Sequence, residues 1–473
     1  MTFFLCVKTG SGKSLVFEMA PFLFDFIESK QYRKTVTAVV LVVLPLVALM
    51  RSQTKILCSR GIKAVYLNDS LTNVPDSNDK FSMDDIRNRH VNSVFGSPES
   101  FVCKQRDLLK ELGTRVNAIF VDEAHCVVKY GRRAKKNTPA FREAYGRISE
   151  LRSFFRNRVP IVALTATASK DMVHKIKKDL GILQCLGVIG DPNKENIRYH
   201  VKVVNGGLES DFEWLVNLIR REGVDTPRMF FFRHIRHMGE LFEILETSLG
   251  NQGYIVDSTG QKVRLFDMYH MKTDDDVKES TCASYNDPEG DVSVVMCSTS
   301  FSMGMDVKVV KHVVHYGPAD DVYSYLQETG RAGRDSVSHC EAVLLKYKHS
   351  LNGRHISKNV KDYCKANVCR RVLLLKTFTS APQPIKPLHL CCDNCSVQCR
   401  CCCGCESLAS CNCESVESFI LSEMESVSNA IDSESSDGSD SDISCEQSED
   451  GDSDCSMEFT HRRPVPISDT DGD

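Results

Sequence analysis

No run of apolar residues in this chain approaches the roughly 18 needed to cross a bilayer. The nearest, Ala38 to Met50, is 13 long and is interrupted by Pro45. It reads as a buried parallel strand running into a turn, which leaves no place for a membrane partner. The opening residues MTFFLCV lack the basic start and the small-residue cleavage site of an export signal. Without such a signal, the 22 cysteines read as reduced thiols or metal ligands rather than as a disulfide framework. Apolar residues are also scarce after residue 413, too few to offset the entropy of ordering. Residues 414–473 are therefore expected to form a disordered acidic tail. That tail holds 18 acidic residues against Arg462 and Arg463, a net charge of −16. With the whole chain at −4, residues 1–413 carry +12, and a basic body suits a polyanionic partner.

What is present is an alternation of β-rich runs and helical patterns. TAVVLVVLP, VNAIFVDEA and VPIVALTATAS are short, rich in Val and Ile, and bounded by turn residues. They predict a parallel sheet covered by helices over residues 1–204. GLESDFEWLVNLIRREG places Leu208, Phe212, Leu215, Leu218 and Ile219 on one helical face. The pattern then restarts with RMFFFRH, GYIVDS, VSVVMCS and VKHVVHYG, predicting a second α/β domain over 205–347. A short basic helical stretch, 360–376, leads to a cysteine-dense region. We divide the remainder into a small subdomain at 348–400, a Cys-rich segment at 401–413 and the tail.

TGSGKS, Thr9 to Ser14, follows an apolar strand and opens a helical pattern. Val7 stands where the strict phosphate-loop pattern has its first glycine. The chemistry needs less than the pattern: Gly10 and Gly12 let the backbone N–H groups around Thr9 and Ser11 face phosphates, and the helix N-terminus adds its dipole. Lys13 then reaches the β- and γ-phosphates of ATP, and Ser14 takes Mg²⁺. In IFVDEAHCV, a strand delivers Asp122 and Glu123 at its C-terminal end, where ligands bind in open α/β sheets. Asp122 is the second Mg²⁺ ligand and Glu123 the residue that orients or deprotonates water. Cys392-x-x-Cys395, with Cys369 upstream, has metal-knuckle spacing. The fourth ligand is either His389 or Cys391. Seven further cysteines between Cys399 and Cys413 are a second metal site or a low-complexity tract.

TGSGKS, DEAH and LTATAS in this order resemble the superfamily 2 helicases. LPLVALMRSQ, GSPES, FREAYGRISELR and SMGMDVKVVKHVVHYG…YLQETGRAGRD narrow the resemblance to the RecQ DNA helicases, over roughly residues 3–400. In the last motif Glu328 follows Gln327, where DEAH-type RNA helicases normally have Arg. The resemblance implies two RecA-like α/β domains with parallel sheets, a small helical zinc-binding subdomain and the tail. It implies ATP, Mg²⁺ and Zn²⁺ as cofactors, and single-stranded and forked DNA as partners. Gln327, Arg331 and Arg334 of the second domain would act on the γ-phosphate, and Asp306 belongs to the same nucleotide-binding set. His125, Thr165 and Thr167 would couple nucleotide state to domain closure. An aromatic-rich loop, CVVKYGRRAKKNTPAFREAY, would sense DNA through Tyr130, Phe141, Arg142 and Tyr145, with Tyr130 where the family has Trp.

The departures are specific. Ser298, Ser300 and Ser302 replace Thr, Ala and Gly of the family pattern, and few residues precede Thr9. In the family an upstream aromatic residue and glutamine grip adenine, so a late-starting chain is expected. No winged-helix or C-terminal helical domain is expected either. Two other readings stay open: a catalytically weakened nucleic-acid-binding protein and an RNA-dependent translocase. The expected location is nuclear, and the acidic tail is expected to compete with DNA for the basic body.

Overall fold

The structure is a computed structural model that describes residues 2–32, 37–67, 72–73, 83–88, 90–113, 115–132, 140–155, 159–227, 229–232, 235–256, 260–270, 273–287, 290–298, 310–334, 339–399 and 418–434. The first domain is built on eight strands: β1 (Phe3–Cys6), β2 (Val39–Val43), β3 (Ala64–Leu67), β4 (Thr72–Asn73), β5 (Ser93–Gly96), β6 (Val116–Val121), β7 (Ile161–Thr165) and β8 (Leu186–Ile189). Their order is β4-β3-β5-β2-β6-β7-β1-β8, parallel except for the β3–β4 pair. Every residue of β2 is buried, which is why its sequence, VVLVV, shows no alternation. Apolar layers cover both faces of this sheet. Because β6, β7 and β1 are neighbours, the loops that follow them emerge side by side at one edge of the sheet.

Helix Lys13–Tyr32 buries Phe17 and Ala20 against β2 and β6. Its other flank leaves Leu15, Met19, Phe22, Leu23, Phe26 and Ile27 exposed, an apolar stripe at helical spacing.

The second domain uses β9 (Ile197–Val203), β10 (Met229–Phe232), β13 (Phe266–Tyr269), β14 (Val294–Cys297), β15 (His312–Tyr316) and β16 (Cys340–Lys346). The order is β13-β14-β10-β15-β16-β9, all parallel. β9 pairs along its whole length with β16. The expected boundary at 204 therefore moves back, to the connection between β8 and β9. GYIVDS, expected in this sheet, supplies instead β11 (Tyr254–Val256), which pairs antiparallel with β12 (Lys262–Arg264) outside it. The sheet position goes to β13, whose Phe266 and Met268 are buried while Val256 is 70% exposed.

The tail also differs from expectation. Residues Phe419–Glu434 form a helix that packs on the second domain beside helix Leu208–Glu222. Ile420 is fully buried and Met424 nearly so. The backbone N–H groups of Phe419 and Ile420 donate to the Glu341 carboxylate at 3.1 and 3.4 Å, so a buried acid of β16 caps this helix. Burial opposes ionisation of Glu341, but His312 and the helix N–H outweigh it and hold the carboxyl below its ordinary value. The acidic composition hid a docking face of only a few apolar residues.

Candidate active site

The phosphate loop follows β1. Gly10 and Gly12 adopt φ of 89° and 76°, conformations that favour glycine, and the backbone from Gly10 to Gly12 is open to solvent. Lys13 and Ser14 begin helix Lys13–Tyr32, and Lys13 Nζ donates to Val7 O at 3.4 Å. Val7 itself extends the sheet, its N–H donating to Thr165 O at 3.2 Å. The missing glycine is thus a strand-end position.

At the end of β6, Asp122 and Glu123 are both at the cleft floor. Glu123 has a positive φ of 46°, strain that a surrounding structure must hold. Burial, and secondly the Glu123 charge, push the Asp122 carboxyl up to about 7 against the pull of Lys13. Burial also opposes ionisation of Glu123, yet His125 and Lys13 outweigh it and keep that carboxyl below its ordinary value. An acid pair so desolvated, facing Lys13 at the start of the helix that also carries Ser14, fits a hard divalent cation such as Mg²⁺, which Ser14 and Asp122 would hold. His125 Nδ1 lies 3.2 Å from Glu123 Oε2 and 3.1 Å from Thr165 Oγ1. Thr165 Oγ1 in turn reaches Thr167 O at 3.5 Å. The DEAH box and the LTATAS motif therefore share one buried hydrogen-bonded path.

The second domain faces this floor through the turn after helix Val322–Thr329. Gln327 and Arg331 are buried there, and a Cβ placed on Gly10 would lie 3.8 Å from Arg334 Cγ. Burial, then Arg334, pushes the Arg331 guanidinium down to about 10, and it feels the Glu123 charge. Glu328 turns away from the cleft and meets His315 Nε2 of β15 at 2.9 Å, both essentially inaccessible. Polar contacts also tie the domains together, among them Lys129 Nζ to Asp321 at 3.1 Å, the Tyr323 hydroxyl to Ser169 at 2.7 Å and Arg51 to Glu279 at 2.6 Å. Asp306, Ser300 and Ser302 lie outside the described residues; Ser298 follows β14.

The aromatic loop is only partly as expected. Phe141 is 80% exposed and stands 5.4 Å from the Tyr130 ring, a pair that could receive a base. Tyr145 is a correction: it is 1% exposed and packs in the first domain's core, so it supports Tyr130 from beneath at 5.9 Å rather than meeting a strand. Arg142 is occupied by Glu99 of GSPES and by Pro45 O of LPLVALMRSQ, at 2.9 and 2.7 Å, binding three motifs into one surface. Of the basic run, Lys129 is committed to Asp321 and Arg132 to Asp179 at 2.6 Å. The other three, at 133, 135 and 136, lie outside the described residues.

The ligand atoms of Cys369, Cys391, Cys392 and Cys395 lie within 4.8 Å of one another. In this arrangement Cys391 sits with the other three thiols, while His389 Nδ1 faces Cys399 Sγ at 3.3 Å. Four thiols at this separation fit a closed tetrahedral Zn²⁺ site. The cluster is anchored to β9, because Asp393 accepts from Val201 N–H at 3.1 Å and from Arg370 Nε at 2.5 Å.

The DEAD/DEAH box helicase family matches residues 1–176, and the helicase conserved C-terminal domain family matches residues 212–336. The ATP-dependent DNA helicase RecQ of Pasteurella multocida is 27% identical over 408 residues, covering 83% of this chain and 56% of that protein. The ATP-dependent DNA helicase Q1 of Rattus norvegicus is 26% identical over 412 residues, covering 83% and 59%. The chain thus spans less than two thirds of the length of either. The structure of S. cerevisiae Dbp5 bound to RNA and ADP BeF3 shares the two-domain fold, with a TM-score of 0.53, 14% identity and coverage of 77% and 83%. That likeness identifies both domains as RecA-like. The two family matches, with the RecQ and Q1 alignments that run through both helicase domains, make this chain similar to the RecQ-like superfamily 2 helicases.

Proposed function

We propose that the chain is an ATP-dependent DNA helicase of RecQ type, coupling ATP hydrolysis to 3′-to-5′ movement on single-stranded DNA and to opening of forked duplexes. One arrangement carries the reading: Lys13 and the Asp122–Glu123 pair of one domain face Arg331 and Arg334 of the other across a single cleft. In it, Lys13 and the two arginines stabilise the charge on the transferring phosphoryl group, and Glu123 orients the attacking water. Loss of the γ-phosphate removes the ligand that both domains share, and His125 and Thr165 pass that change to the loops that flank the cleft. DNA as the strand follows the names of the two relatives, and the exposed Phe141–Tyr130 pair offers a stacking surface.

The test is steady-state ATP hydrolysis by the purified chain alone, with a DNA oligonucleotide, and with RNA of the same sequence. DNA should stimulate turnover several-fold more than RNA, and Lys13→Ala should bring it to background. Stimulation by RNA alone would replace the DNA reading. A wild-type chain that hydrolyses nothing under any of these conditions would sink it.

For the acidic residues beyond Glu434 we propose competition with DNA for the basic body. Removing 435–473 should tighten single-stranded DNA binding at 50 mM salt and have little effect at 300 mM, since screening lengthens the odds against exposed charges. Removing 418–473 should in addition lower the thermal midpoint by several degrees, because Ile420 and Met424 leave an uncovered apolar face. DNA affinity unchanged by the shorter deletion ends the competition idea.

A further inference from the structure

The connection between the domains, residues 190–196, contains a lysine that no motif singles out. Lys194 is 7% exposed, and its ammonium donates to Gly330 O at 2.7 Å and to Ala332 O at 3.1 Å. Those two carbonyls bracket Arg331. Two residues on, Asn196 Nδ2 donates to Gly333 O at 3.0 Å. Gly333 has φ of 59°, and a Cβ there would meet Asn196 Nδ2 at 2.2 Å, so the turn is formed against this connection with no room to spare. The connection is itself held from the other side. Arg371, fully buried in the tetracysteine subdomain, donates to Asn193 Oδ1 and to Lys194 O, both at 2.7 Å, and also to Ile197 O.

We infer that Lys194 is a positioning residue for hydrolysis: it fixes the arginine-bearing turn so that Arg331 meets the acid pair and the phosphates. The inference rests on reading the cleft as a site of nucleotide hydrolysis. An ammonium has three hydrogens and no planar preference, so one lysine can tie both carbonyls that flank a single residue. Without it two buried carbonyls lose their partner and the turn gains freedom at the one place where a displacement of about 1 Å can cost roughly 10²-fold in rate. Burial, followed by Arg334 and Lys8, pushes Lys194 down to about 8. A polyphosphate in the cleft would relieve the same cluster of cations.

The experiment compares Lys194→Met, Lys194→Arg, Arg331→Ala and the Lys194→Met/Arg331→Ala double variant in the full chain, reading kcat and KM for ATP with single-stranded DNA present. Lys194→Met should lower kcat about 10-fold or more with KM within roughly 3-fold, because the phosphate loop is untouched. Lys194→Arg should recover a substantial part of that loss. The double variant should be no slower than Arg331→Ala alone, since Lys194 acts through Arg331. A general loss of folding would lower apparent kcat at unchanged KM by lowering the fraction of active enzyme, which active-site titration with a tight ATP analogue reads directly and corrects for. A Lys194→Met chain within twofold of wild type, or losses that multiply in the double variant, overturns the inference alone. An inactive wild type overturns the hydrolase reading and the inference with it.

Discussion

Arg331→Ala is expected to lower kcat for ATP hydrolysis by about 10³-fold or more, with KM changed only a few-fold, on the scale by which such arginines act. The residue comes from the second domain, so it meets phosphate only when the domains are closed. Its contribution therefore belongs to the transition state more than to binding, and kcat should carry the loss. Burial at 3% exposure removes the water that would otherwise screen it, and this strengthens its action on a developing charge. The guanidinium is pushed only to about 10, so it stays charged at neutral pH. Arg331→Lys should not rescue, because an ammonium cannot reproduce a planar fork at a fixed turn. Single-turnover hydrolysis with saturating DNA checks both variants. A loss under 10-fold would mean that Arg334 or another cation does this work.

Where chemistry was local, the sequence carried it. The phosphate loop and the DEAH box each hold their ligands within a few residues, and parallel-sheet topology brings them together because β6, β7 and β1 are neighbours. What depended on distant partners was not legible. Tyr145 looks like Phe141 in sequence; Tyr145 is core because it shares the inward face of the 3-10 helix Glu143–Phe154 with Ile148, Leu151 and Phe154, whereas Phe141 precedes that helix and is exposed. His389 has family spacing for a ligand, yet the chain direction at 388–392 presents Cys391 instead. β9 reads as the end of one domain, and only its pairing with β16 shows that it begins the next. The helix at 419–434 is nearly silent in composition because its partner, Glu341 of β16, is 78 residues away. Lys194 has no motif at all, since its role is set by two carbonyls that any residue would supply.

Replacing one cluster thiol, as in Cys392→Ser, should release one equivalent of zinc per chain and lower the thermal midpoint by about 10 °C or more. Structural Zn²⁺ in small modules supplies apparent free energies of roughly 10–16 kcal/mol. Helices Lys358–Lys365 and Arg370–Leu375 are too short to stand alone, and they depend on the cluster together with β9. Even a loss of about 4 kcal/mol would shift the midpoint by some 10 °C, at roughly 2–4 °C per kcal/mol for a domain of this size. The second consequence is less local. Cys369 lies two residues before Arg371, and Arg371 holds the carbonyls of the connection that carries Lys194. Loss of the metal should therefore depress ATP turnover as well as stability, at temperatures where both RecA-like domains remain folded. Metal analysis by atomic emission, a melting curve and ATP turnover at 20 °C check the three effects on the same sample. Turnover unaffected by complete loss of metal would separate the cluster from the cleft, and a chain that contains no zinc when purified without chelator would remove the site itself.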